Sequence, residues 1–139
     1  MALTSIVGLL AGGCARQDEP RSSASVSGSS QSVAEAARPV ALPDVSRLAE
    51  SVQTQMRERH SALMAKLEDK TTPSKQLGAA YGELGLILMA AEYYEAAASS
   101  YLTAQALVPD DAQWPYYLGH LYRIQGDAPK AARFFSRAL

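Results

Sequence analysis

One cysteine, two histidines and one tryptophan in 139 residues close off several kinds of chemistry at once. Cys14, being alone, excludes an internal disulfide, so the compartment has to be read from the N-terminus. His60, His120 and Cys14 stand far apart, and no zinc-type spacing links them. Charge lacks a bias of either sign: 13 Lys+Arg against 14 Asp+Glu leave a net charge of -1. With no basic block and no acidic tract, neither a nucleic acid nor a strongly basic ligand is an expected partner. No glycine-rich phosphate loop and no nucleophile elbow occurs. Pro109, Asp110 and Asp111 read as a helix stop followed by an N-cap rather than a metal pair. The chain therefore reads as a non-enzyme without cofactor or metal, long enough for one domain with tails.

What is present begins with "ALTSIVGLLA", ten residues without a charge. The run is too short for a membrane-spanning helix and suits the apolar core of a signal peptide. Gly12 and Gly13 then supply the small side chains a signal peptidase needs, directly before Cys14. "LLAGGC" resembles the lipobox of bacterial lipoproteins, with Ala11 three places before the Cys and Leu10 one further out. The resemblance implies that residues 1–13 are a signal peptide, that Cys14 is lipidated, and that the chain is held in the cell envelope. Where there is an outer membrane, Ala15 in place of Asp implies that membrane, with the body facing the periplasm.

Residues 14–43 read as a lipidated Cys and a disordered linker. Seven of the sixteen residues from 21 to 36 are Ser, with no aromatic, Leu or Ile among them. Such a stretch cannot bury enough apolar surface to offset its ordering entropy. Its reach is on the order of 30 Å. "RPVALP", residues 38–43, is the stiffer, extended end.

Residues 44–70 carry a helical pattern. Pro43 and Asp44 give a start signal. Val45, Leu48, Val52, Met56, Leu63 and Leu67 recur at spacings of three, four or seven, one face of an amphipathic helix. His60 falls on that stripe and reads as a packed or half-exposed residue. Thr72 and Pro73 are expected to cap and start the next helix.

A period follows. Leu84 and Leu118, Gly85 and Gly119, Ala97 and Ala131, Tyr101 and Phe135, and Ala104 and Ala138 each stand 34 residues apart. The second unit also carries Tyr122, four after Leu118, and a turn at Gly126 and Asp127. This period and these residues resemble tetratricopeptide (TPR) repeats, each made of two antiparallel helices. The resemblance covers about half the chain, as repeat 1 over residues 73–111 and repeat 2 over 112–139. It implies an all-α, right-handed solenoid fragment of five helices, counting the one before it. Gly85 and Gly119 are expected where a second helix approaches closely, over Ala97 and Ala131, with Tyr101 and Phe135 filling the space between helices.

In that family the first helix of each unit lines a concave binding face. Carried over, the face is Ala79, Gly82, Leu86, Met89 and Ala90, then Gln113, Tyr116, His120, Arg123 and Ile124. It lacks the Lys and Asn with which one subgroup clamps a C-terminal carboxylate, so that partner class is not expected. The resemblance implies a membrane-anchored scaffold for a protein partner. The alternative is the targeting or regulatory region of a longer enzyme whose catalytic domain lies beyond residue 139. Because the sequence ends inside the second unit, further repeats are expected in the full-length chain.

Overall fold

The computed structural model describes residues 37–139. The expected signal peptide, Cys14 and the linker up to residue 36 lie outside the described residues. Among the described residues the regular structure is entirely helical: α1 (Glu50–Glu68), α2 (Ser74–Ala90), α3 (Tyr94–Leu107), α4 (Gln113–Ile124) and α5 (Ala128–Arg137). Each helix packs on the next along the chain. Loops 91–93 and 125–127 hold three residues each. Links that short turn the chain back on itself, so α2–α3 and α4–α5 are helical hairpins. Among the described residues no helix is long and apolar enough to cross a membrane.

The first helix starts at Glu50, not at Asp44. The Asp44 carboxylate accepts the Ser46 amide at 3.0 Å and the Val45 carbonyl accepts the Leu48 amide at 3.0 Å, closing a turn where helix was expected. Asp offers the backbone this local alternative to a helix. Gln53 reaches back from α1 to donate to the Leu48 carbonyl at 2.8 Å, which fixes the angle at which the turn joins the helix. The expected stripe still meets the core: Val45, Met56 and Leu63 are buried, and Leu48, Val52 and Leu67 pack against them. His60 is half-buried on that stripe and donates from Nε2 to the Val40 carbonyl at 2.8 Å.

Two further expectations are corrected. Thr72 does not cap α2. Pro73 itself holds the cap position, and its carbonyl accepts from Gln76 and Leu77 at 2.9 and 3.1 Å. The turn is organised earlier, by Asp69, whose carboxylate takes the Thr71 amide at 2.9 Å and its hydroxyl at 2.6 Å. The second correction concerns residues 37–43, expected as the end of a disordered linker. They lie on the helical body, with Val40 and Leu42 against the core and their backbone held by side chains of α1 and α2.

The two hairpins repeat one contact. A Cβ on Gly85 would lie 2.8 Å from the ring of Tyr101, and a Cβ on Gly119 would lie 2.6 Å from the ring of Phe135. In both, a bare stretch of the first helix receives an aromatic ring from the second, sixteen residues on. The nearest atoms at these glycines thus belong to the rings and not to Ala97 and Ala131, which are themselves buried. Leu84, Leu88, Leu118 and Leu121 complete the core at zero exposure. The turns also correspond. Gly126 has φ +79°, and its counterpart 34 residues earlier, Glu92, adopts φ +66° although it carries a side chain.

Candidate partner-binding groove

The groove arises from the way α4 sits beside α2. The Trp114 indole lies on Gly82, so close that a Cβ there would be 2.1 Å from the ring. Farther along, Met89 and Ala90 share a hollow with His120 and Ile124. Contacts that advance together along both helices mean that α2 and α4 run in the same direction, with a cleft opening between them beyond Trp114.

That cleft has a volume of about 440 Å³ and is lined by Leu86, Met89, Ala90, Tyr116, Tyr117, His120 and Ile124. Its α2 wall is aliphatic. Its α4 wall is a chain of rings continuous with the core. Tyr101 stacks on Tyr117 at 5.4 Å, Tyr117 meets Tyr116 edge-on at 5.8 Å, and Tyr116 meets His120 at 4.5 Å. Phe135 of α5 closes the row against His120 at 5.1 Å. These offset and edge-on geometries are the favoured ones for aromatic pairs. The wall is therefore held by the same packing that holds the hairpins. Tyr101 also reaches the opposite wall, its hydroxyl pointing at the Met89 sulfur at 3.8 Å. Burial raises the Tyr101 phenol well above its ordinary range, with the neighbouring Tyr117 adding to the effect, so it stays protonated there.

The residues expected on a concave face divide into three groups. Leu86, Met89, Ala90, Tyr116, His120 and Ile124 are brought together. Gly82 is covered by Trp114, and Ala79 belongs to a separate 170 Å³ hollow against α1 with Arg59, Lys66 and Glu83. Gln113 and Arg123 are exposed and do not line the groove. Arg123 still influences it: its guanidinium approaches His120 Nδ1 at 3.3 Å. Arginine only donates, so in that contact the imidazole nitrogen is the acceptor. Tyr117 is the lining residue the sequence reading missed. Its place was recoverable, because 117, 120 and 124 form one helical stripe.

Chemically the groove offers apolar and aromatic surface with one polar corner at His120, and no carboxylate lines it. Among the described residues no group of three His, Cys, Asp or Glu side chains could hold a metal ion. A larger hollow of about 580 Å³ lies over α3, lined by Ala98, Ser99, Leu102, Thr103 and Tyr122 among others. There the Thr103 hydroxyl is spent on the Ser99 carbonyl at 3.0 Å, and Leu102 is its one exposed large apolar residue. The α2–α4 groove, by contrast, gathers three: Leu86, Tyr116 and Ile124, exposed to 39, 49 and 52%. Comparison with protein-family models, with curated proteins and with solved structures finds no match.

Proposed function

We propose that this chain is a lipid-anchored interaction protein of the bacterial envelope, built on TPR-type repeats, whose α2–α4 groove holds a segment of a protein partner. One observation carries the reading. Among the described residues five large hydrophobic side chains are exposed, and three of them, Leu86, Tyr116 and Ile124, converge on this groove. Apolar side chains gathered in a concave surface, with a few polar groups at one edge, are the signature of a binding site rather than of scattered surface residues. The repeat reading is supported by the 34-residue recurrence of the glycine–ring contact and of the positive-φ turn. Anchoring rests on the sequence "LLAGGC" before the linker.

Two variants test the halves separately. Leu86→Glu with Tyr116→Glu places carboxylates on both walls. It should abolish partner recovery from envelope extracts while the helical circular dichroism stays unchanged, and undiminished recovery would refute the groove. Cys14→Ser should move the protein from the detergent phase to the aqueous phase in phase partitioning. Partitioning equal to that of the wild type would remove the anchor.

A further inference from the structure

Residues 37–45 form neither helix nor strand, and no backbone hydrogen bond joins residues 37–44 to one another. Their conformation comes from what they lie on. Tyr81 of α2 donates its hydroxyl to the Arg38 carbonyl, His60 of α1 donates to the Val40 carbonyl at 2.8 Å, and Tyr93 of the α2–α3 loop donates to the Asp44 carbonyl at 2.6 Å. Each bond runs from a side chain of the helical body to a main-chain acceptor of the segment. The accepting carbonyls, 38, 40 and 44, are all even-numbered, as an extended chain with one edge against a surface requires. Val40 and Leu42 pack partly against the core, and Val45 is buried.

The donor-only character of these contacts selects the segment's composition. Pro39 and Pro43 have no amide to donate, and their fixed φ holds the chain extended in advance. A surface that supplies hydroxyl and imidazole donors and asks for carbonyls loses nothing at either proline. Burial pushes the Tyr81 phenol up to about 12, so this donor stays protonated across the ordinary pH range. Nor is this the groove described above. Tyr81 and Leu86 are five residues apart on α2, about 140° around the helix.

We infer that the surface formed by His60, Tyr81 and Tyr93 is a second peptide-binding site. It takes extended, proline-containing segments with apolar residues at i, i+2 and i+5, and residues 37–48 of this chain occupy it in cis. The segment behaves as a bound ligand that happens to be covalently attached. A peptide of the same pattern can exchange for it.

The test uses the full chain with a protease site inserted between Leu48 and Ala49. After cleavage the N-terminal piece should co-elute with the helical body in gel filtration. An excess of labelled synthetic peptide ARPVALPDVSRL, residues 37–48, should then replace it. In the nicked protein, Tyr81→Phe with Tyr93→Phe should weaken binding of that peptide about thirtyfold, the equivalent of two ordinary hydrogen bonds, with helicity unchanged. Replacing both prolines of the peptide by alanine should weaken it about fivefold to tenfold through the freer unbound chain. Loss of helicity on nicking would show that the segment is an integral part of the core. Release of the piece with no uptake of labelled peptide would show that there is no site. Equal binding of the alanine peptide would remove the proline preference.

Discussion

Tyr101 in the α2–α3 hairpin has no exposed surface, whereas its counterpart Phe135 in the α4–α5 hairpin is only partly covered. The glycine beneath each ring is the same, and so is the spacing. What differs is the neighbourhood. The first hairpin lies between α1 and α4 and carries residues 37–48, while among the described residues the second has a neighbour on one side only. Their turns differ in the opposite sense. The buried hairpin turns through Glu92 at φ +66° and its next helix has no side-chain cap. The open hairpin turns through Gly126, and Asp127 caps α5 by accepting the Lys130 amide at 3.1 Å. Packing and local signals thus compensate: where neighbours cover a hairpin, poor turn chemistry is tolerated, and where they do not, the turn and cap are well formed.

The largest expected effect contrasts the two rings. Tyr101→Ala should cost about 3–5 kcal/mol in denaturant unfolding. Phe135→Ala should cost roughly half as much, because part of that ring is already in water. Equal losses would mean that the α4–α5 hairpin is as fully covered as the first.

Next come the glycines. Gly85→Leu should cost about 3 kcal/mol, since the enclosed Tyr101 ring cannot move aside, and Gly119→Leu about 1 kcal/mol, since Phe135 can swing outward. Thermal melts of both variants give the order directly.

The turns should respond with opposite signs. Glu92→Gly relieves a left-handed conformation that costs an L-residue about 1–2 kcal/mol. Part of that gain is offset by glycine's greater freedom when unfolded. A net stabilisation of about 0.5–1 kcal/mol should appear, whereas Gly126→Ala should destabilise by about 1 kcal/mol.

The smallest effect is that of pH. Hydrogen bonding to the Lys130 amide, first through the backbone, holds the Asp127 carboxyl below its ordinary value. A lowered folded-state pKa contributes stability that is present above about pH 4 and is lost as pH falls through the lowered value. Amides of α5 should therefore lose protection on acidification, measured against their intrinsic exchange rate at each pH, and Asp127→Ala should remove that dependence. The first turn of α3, where Tyr93 stands in place of the cap, should show no such loss from a capping carboxylate.

Much of this was legible in the sequence, for reasons that can be named. The helix before the repeats follows from apolar spacing, and the other four from the two-helix unit that the repeat resemblance implies. The paired glycines and rings showed as matches at one offset, because a close helix contact tolerates few residue types. Six of the seven groove residues followed from carrying the family's first-helix positions onto this chain. Tyr117 was overlooked because it also stacks on the core residue Tyr101 and so belongs to two surfaces. Gly82 looked like groove floor, but the Trp114 indole fills that space. Residues 37–48 were the largest departure. "RPVALP" has no helical or strand period, and three side-chain donors from distant positions, His60, Tyr81 and Tyr93, give it its place. Local patterns carry no trace of such contacts.

The central claim, that the α2–α4 groove is where a protein partner sits, is tested most directly by a photo-crosslinking amino acid placed singly at Tyr116 and at Leu102 in the native cell envelope. The groove position should give one dominant adduct that disappears when Leu86→Glu is added, while the α3 surface position gives none. Adducts of equal yield at both positions, or a Tyr116 adduct indifferent to Leu86→Glu, would contradict the account.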